Sequence, residues 1–406
     1  MPVRAGFDVV VVGASIGGCS AARLFALAGA RVALIERRPD PNAYKVVCTH
    51  QILSSAVPTI ERLGLASLIE ERGAVRTHAA AWSPYGGWML FPSDVPYGYG
   101  VTRWTLDPIL RELAAGTPGV EFLPGLTVVG LLGDDGRPGG VEVETPNHEV
   151  QAIRARLVVG ADGRGSTVAR LARVPGRVRP HNRFFYFAYW RGIRPATTRA
   201  RLWFLDPDGA AAFPNEDDLT VVVAAPHRSR LGEFRAGPEG AYRRMVAALP
   251  DGPDIAGAER ASKLVGKLEV PNVMRPAARP GVAFVGDAAL ATDPSFGVGC
   301  GWAFESADWL VDHTRTALLD GGDLDGALER YRWTFRRRLG LEHWLIADMS
   351  SGRKLRANER AMFRAAASDP VMARALEEVA SRRRSSLRLL DPRLALRRLR
   401  QPVPIG

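Results

Sequence analysis

The residues with the clearest chemical potential in this chain are glycines rather than acids or nucleophiles. In FDVVVVGASIGG (7–18), Gly13, Gly17 and Gly18 are spaced as G-x-S-x-G-G, a variant of the turn by which a strand passes into a helix around a pyrophosphate. Gly13 permits the tight turn, Gly17 lets the backbone approach the phosphates, and Gly18 lets the helix lie close to the strand. Ser15 and Ile16 open that helix, whose unpaired N–H groups and partial positive charge favour an anion. Glu36 ends a second apolar run, RVALIE. It stands where an acid accepts from a ribose hydroxyl, with Arg37 beside it.

Two further stretches put an acid at a strand-to-helix turn. LVVGADGRGSTVARLA (157–172) carries Asp162-Gly163, and GVAFVGDAALATDPSFGVGCGWAFESADWL (281–310) carries Gly286-Asp287. Asp alone at such a turn is only a favoured helix cap. In the later stretch, however, Pro294, Gly297, Val298, Gly299, Cys300 and Gly301 come next as a stiff loop poor in side chains. Backbone N–H groups in such a loop can touch a flat polar ring, and the dipole of the next helix can steady negative charge on it. Outside these motifs the most suggestive pair is Cys48 and His50, in AYKVVCTHQIL. An imidazole titrates near neutrality and can serve as acid or base, although a buried inert thiol and a structural histidine are the commoner fates.

These residues need elements to hold them. The run FDVVVVG reads as a strand covered on both faces of a parallel sheet. The Ala- and Leu-rich segment to Gly29 reads as a helix, and the other two motifs repeat strand, turn, helix. The segment RFFYFAYWRGI (183–193) and its continuation to VVVAA, dense in aromatic and β-branched residues, predict an antiparallel sheet. AAWSPYGGWMLFPSDVPYGYG (80–100) adds to that lobe. Trp82, Tyr97, Tyr186, Tyr189, Trp190, Phe213 and Pro214 are candidate walls of an apolar pocket there, with ordinary core packing as the competing explanation. After Leu310 the pattern is helical, and Pro392 and the closing QPVPIG mark its stop.

The three motifs, in this order and at these separations, resemble the flavoprotein monooxygenases of the p-hydroxybenzoate hydroxylase fold, a group that includes flavin-dependent halogenases and geranylgeranyl reductases. The resemblance runs over roughly residues 5 to 350. It implies an α/β chain: an FAD-binding Rossmann-like domain of the glutathione reductase type, an inserted antiparallel-sheet substrate domain and a C-terminal helical segment. The implied division gives FAD-binding parts at 1–78, 101–178 and 276–345. Substrate-lobe parts fall at 79–100 and 179–275, with the helical segment at 346–406. It also implies that Gly13, Ser15, Gly17 and Gly18 cradle the FAD pyrophosphate and that Glu36 holds the adenosine ribose. Arg103 and Asp162-Gly163 contact the cofactor, Asp287 binds its ribityl and pyrophosphate part, and Pro294 to Gly301 lie along the isoalloxazine. Two departures stand out: Leu290 replaces the His of a frequent GDAAH, and Gly301 stands where Asn is frequent.

Within that group, hydroxylation or epoxidation of a small apolar or aromatic substrate in secondary metabolism is the expected reaction. Electrons would come from NADPH or NADH, and O2 would react through a flavin C4a-(hydro)peroxide. Because the one dinucleotide fingerprint is given to FAD, the nicotinamide would bind only transiently. The reductase branch is kept open by Cys48. The halogenase branch has Lys45 near a suitable place but alanines in AAAFP (210–214), where that branch has tryptophans. A non-redox cyclase using FAD as a scaffold is the remaining alternative.

Bulk composition limits the classes. The chain of 406 residues is 46% apolar and 24% charged, within the globular range, and no apolar run is long enough to predict a membrane span. Cys19, Cys48 and Cys300 are too few and scattered for a disulfide framework or a zinc site. With no secretory leader pattern at the amino terminus, a cytoplasmic protein is expected. The net charge of +11 is nearly all Arg, spread along the chain and densest in 382–400. That spread argues against a nucleic-acid interface, which clusters its cations. The sequence leaves the oligomeric state open.

Overall fold

The computed structural model describes residues 6–133 and 137–399. The first five residues, Arg400 at the end of the basic stretch, and the closing QPVPIG lie outside them. The valine run forms β1 (Phe7–Val12), followed by α1 (Ile16–Leu27) and β2 (Val32–Glu36). Next come β3 (Val75–Ser83), α2 (Arg103–Ala115), β4 (Val120–Pro124) and β5 (Val150–Gly160). The aromatic middle gives β6 (Phe185–Arg191), β7 (Arg199–Phe204), β8 (Gly209–Pro214) and β9 (Leu219–Ala225). The short β10 (Val282–Phe284) leads through the Gly-rich loop into α3 (Gly299–Leu319). Helices α4 (Leu324–Met349), α5 (Ala357–Ser368) and α6 (Pro370–Ala380) complete the main helical part.

One sheet runs β10-β5-β1-β2-β4, all parallel along this path. Its central strands are buried almost end to end, as continuous apolar runs must be when helices cover both faces. A larger sheet runs β6-β9-β8-β7-β3 and continues through Gly98–Gly100 to Gln51–Ile52. The pairs β6–β9, β9–β8 and β8–β7 are antiparallel, as expected. At one junction the expectation needs correction, because β3 and β7 pair parallel. β3 comes from far upstream in the chain, and no hairpin dictates its direction.

Each strand of the larger sheet sends alternate side chains to opposite faces. Phe185, Phe187, Tyr189, Ala211, Phe213, Val221 and Val223 form one buried cluster. Phe184, Ala188, Trp190, Trp203, Val222 and Ala224 form another, with Phe234, Tyr242 and Met245 of the helical turns behind it. Helices α5 and α6 pack on a third cluster around Ala81, Met89 and Phe91. There Phe204 touches both Phe363 and the loop residue Phe296, with ring centroids 5.0 and 6.1 Å away. The C-terminal helices thereby support the Gly-rich loop from outside.

The approach of α1 to its turn has a measurable consequence. A Cβ on Gly18 would stand 1.7 Å from the Gly13 carbonyl oxygen, whereas one on Gly299 would meet nothing within 4 Å. Gly18→Ala should therefore lower thermal stability by more than the roughly 1–3 kcal/mol typical of overpacking. Gly299→Ala should change it by no more than about 1 kcal/mol. Paired thermal melts check this, and equal melting temperatures for the two variants would contradict the packing described.

Candidate functional site

β1, β5 and β10 stand in register, with Val12 opposite Gly160 and Gly160 opposite Phe284. All three strands therefore end at one edge, and the turns after them meet there. Ligands of open α/β sheets bind at this carboxyl edge. Gly13 has φ +103° and a Cβ there would lie 2.6 Å from the Ala161 carbonyl oxygen, so only glycine lets the first turn touch the second. Gly17 also has a packing role. The space its Cβ would need is bounded by the Val285 methyl at 3.2 Å and the Gly286 nitrogen at 3.7 Å. Its missing side chain docks α1 against the third motif. Ile16 is buried, so only its backbone faces the turn.

Charged side chains tie the turns together. Glu36 accepts from the Ala14 N–H at 2.9 Å and from Arg38. Burial opposes its charge, but these bonds hold its carboxyl below the usual range. Arg38, not the exposed Arg37, is thus the arginine that engages Glu36. Arg103, itself buried, donates to Ser15 Oγ at 2.6 Å and grips Asp107 with Nε and Nη2, each at 2.8 Å. Arg111 reaches the carbonyl of Ala14 at 3.2 Å from further along α2. Lys45 Nζ lies 2.7 Å from Asp287. Burial raises the cost of charge on Asp287, yet Lys45, with Arg164 and Arg103 nearby, keeps its carboxyl below the usual range.

The second motif is half-satisfied. Asp162 Oδ2 accepts from the Val168 N–H at 3.0 Å, while its buried Oδ1 has no partner. Beside it, a Cβ on Gly163 or Gly165 would meet nothing within 4 Å, nor would one on Gly299 across the edge. An unpaired buried oxygen is costly, and this one stands beside Gly163, Arg164 and Gly165.

The Gly-rich loop is anchored by Asp293, a residue that no motif in the sequence marks. Its carboxylate accepts from His181 at 3.1 Å, Arg183 at 3.5 Å and the Ser295 N–H at 2.8 Å. Burial is overcome by these donors, and its pKa falls to about 2. Gly297 takes φ +65° against Gln51 and lies close to Phe213. Gly286 and Val298 are buried, and Gly301 faces Leu53 and Ala56. Cys300, in the first turn of α3, brings its sulfur 3.5 Å from that of Cys48.

Beside this loop aromatic side chains pack edge to face, and this group is termed the chamber. His50 has φ +62°, and its Nδ1 accepts from the Arg103 N–H at 2.9 Å. A neutral ring must then carry its proton on Nε2, which donates to the Tyr189 hydroxyl. Burial lowers the His50 pKa and raises that of Tyr189, keeping a neutral imidazole beside a protonated phenol. Trp104 closes the group, 4.8 Å from Tyr189, 5.9 Å from His50 and 6.1 Å from Tyr44 between ring centroids. It comes directly after Arg103 in the sequence, and that adjacency was the available signal.

Of the pocket-wall candidates, Tyr189 and Phe213 lie on the face toward the chamber. Pro214 closes β8, where its carbonyl backs onto Gly100. The others are corrected. Tyr186 stacks on Phe234, Trp190 donates to Tyr242 at 3.1 Å, and Trp82 belongs to the same opposite-face cluster. The two-residue period of β6 sends odd and even positions to opposite sides, so Tyr186 and Trp190 cannot share a wall with Tyr189. Tyr97 packs on Tyr99 and Arg76. Among the described residues no cluster of His, Cys, Asp or Glu could hold a metal, and no helix is long and apolar enough to cross a membrane.

A parallel sheet with three converging phosphate-type turns, joined to a second sheet carrying a buried aromatic cluster, defines a two-lobed dinucleotide-binding flavoprotein. The chain belongs to the FAD binding domain family, whose model matches residues 6–312. It is 27% identical over 340 residues to digeranylgeranylglycerophospholipid reductase 2 of Methanothermobacter thermautotrophicus, covering 82% of this chain and 84% of that protein. It is 28% identical over 311 residues to 6-methylpretetramide 4-monooxygenase of Streptomyces rimosus, covering 74% and 73%. A flavoprotein/dehydrogenase from Cytophaga hutchinsonii shares the fold with a TM-score of 0.79 at 19% identity, over 96% of this chain and 95% of that one.

The residues present fit FAD. The free Asp162 oxygen, the glycine-lined edge and the Arg103, Arg164 and Lys45 cations suit hydroxyls and a pyrophosphate. Bound there, FAD would supply hydride-transfer chemistry that no side chain of the site can. Asp287→Ala should abolish stoichiometric flavin in the purified protein, because the hydroxyl groups it would accept from are left unpaired and Lys45 loses its partner. The absorbance ratio of bound flavin to protein reads this directly, and full flavin content in that variant would contradict the assignment.

Proposed function

We propose that this FAD-dependent oxidoreductase saturates a carbon–carbon double bond in a small, hydrocarbon-rich molecule, with NADPH or NADH as electron donor. The observation that carries the reading is the set Cys48, His50 and Tyr189 beside the Gly-rich loop. Saturating a double bond needs a hydride on one carbon and a proton on the other. Tyr189 is held as a phenol, accepts from the His50 Nε2–H, and so directs its own O–H away from His50. It can release that proton while the His50 Nε2–H bond steadies the phenolate left behind, with Nδ1 fixed by the Arg103 backbone, and the phenolate regains its proton from solvent when product leaves. Trp104, Phe187 and Phe213 supply the apolar walls that exclude water.

The state of Cys48 also favours reduction over oxygenation. Its contact with Cys300, with His50, Arg103 and Lys45 close by, holds it well below the usual thiol range despite burial. A thiolate of this kind is readily oxidised, which makes it a poor neighbour for activated oxygen. The reductase among the relatives agrees with this reading. Lys45, bound to Asp287, belongs to the cofactor cradle, and this weakens the halogenase alternative.

A second reading is NAD(P)H- and O2-dependent hydroxylation or epoxidation of an aromatic substrate. The monooxygenase among the relatives supports it.

Anaerobic turnover separates the two. With NADPH and a polyprenyl lipid or a quinone as probe, a reductase yields saturated or reduced product without O2, and in air without the probe it releases H2O2 in proportion to NADPH consumed. Product that forms only in air and carries an oxygen atom from O2 would overturn the reductase reading. Tyr189→Phe should slow turnover by about 100-fold or more, the usual size of a lost general acid, with little change in KM.

Because His50 must stay neutral to accept at Nδ1 and its pKa is depressed, activity should be level down through about pH 6.5, the ordinary imidazole value. It should fall only at lower pH, as the ring finally protonates. A rate profile that already halves near that ordinary value would contradict the tautomer assigned to His50.

A further inference from the structure

We propose that Cys48 and Cys300 are a reversible disulfide pair, a redox site built into the chamber floor whichever reaction the enzyme catalyses. The two residues are 252 apart in sequence, yet the fold brings their sulfurs to 3.5 Å. Closing that gap to the roughly 2 Å of a disulfide needs a movement of under about 2 Å, shared between a loop and the first turn of a helix. Cys19, the remaining cysteine, is fully buried on α1 and has no sulfur partner among the described residues.

The two thiols are unequal in the way that exchange requires. Cys48 is the more accessible, and its sulfur receives the His50 N–H at 3.3 Å and Arg103 Nη1 at 3.8 Å. It also faces the amino-terminal turn of α3, a helix of 21 residues whose dipole favours an anion there. Cys300 is buried and keeps its proton, the Cys48 contact and desolvation both raising its pKa. Cys48 is therefore the attacking sulfur and Cys300 the resolving one.

With a low-molecular-weight disulfide such as oxidised glutathione as oxidant, the Cys48 thiolate attacks one sulfur. It forms a mixed disulfide and releases one glutathione thiolate, which takes up a proton. The Cys300 sulfur then gives up its proton and attacks the Cys48 sulfur, releasing the second glutathione thiolate to take that proton. The two protein thiols lose two electrons and two protons in total, and the oxidised glutathione gains both. The product ties the segment after β2 to the start of α3, across the mouth of the Gly-rich loop. Reduced glutathione reverses it.

The test uses the flavin-loaded enzyme equilibrated anaerobically in glutathione buffers of graded ratio, quenched with an alkylating agent and digested for mass spectrometry. The expected result is a cross-linked Cys48–Cys300 peptide that rises with the oxidised fraction and disappears on reduction, with Cys19 alkylated only after unfolding. In Cys300→Ser, Cys48 should stop at the mixed disulfide with glutathione. In Cys48→Ser, Cys300 should stay unmodified. Independent alkylation of both cysteines in wild-type enzyme at every ratio would overturn the proposal, and so would a mixed disulfide on Cys48 that never resolves. The wild-type measurement decides the matter even if a variant fails to fold. Because it counts thiols rather than turnover, its failure is distinguishable from failure of the reductase reading.

Discussion

The parallel pairing of β10, β5 and β1 is the constraint that governs everything else in the molecule. Register fixes Val12, Gly160 and Phe284 at one level, so three turns drawn from the start, middle and later part of the chain emerge side by side. A slip of a single residue in any of these strands would exchange the side chains packed against the two helical layers, and it would also carry an acid or a glycine out of the shared edge. The hydrophobic burial that sets the register therefore positions the polar groups as well. Glycine at 13 and 18 lets the turns come close enough to act as one surface.

Around that surface, buried charge is organised in matched sets. Arg103 with Asp107, and Arg183 with Asp293, each place a buried carboxylate against a cation, and the more exposed Lys45–Asp287 pair lies beside them. Removing one partner from such a pair strands a buried charge, which costs more than the pair itself contributes. These pairs fix geometry more than they add stability. Arg103 is central among them, because one side chain reaches Ser15 of the first turn and Cys48 of the chamber, while its backbone sets the tautomer of His50.

Much of this architecture could be read in the residues. Continuous valine runs ending in glycine announced the parallel strands, and the acids at Asp162 and Asp287 were recognisable because each stands just past the end of such a strand. What escaped depended on contacts between distant segments. Nothing local shows that Gly17 faces Val285 and the third motif, that Arg38 rather than Arg37 turns toward Glu36, or that Asp293 gathers His181 and Arg183. The aromatic candidates were missorted where chemistry was read without strand phase: on β6, Tyr189 faces the chamber while Tyr186 and Trp190, three places before it and one after, face the helices. Cys48 and Cys300 were each noticed, but their proximity across 252 residues is a property of the fold alone.

The most direct test of the central claim is the stoichiometry and selectivity of flavin binding by protein freed of cofactor, followed by calorimetry with FAD and with FMN. Three turns serving one extended dinucleotide predict one FAD per chain, and FMN, which lacks the adenosine end that Glu36 would hold, should bind far more weakly. Equal affinity for the two flavins, or uptake of neither, would contradict it.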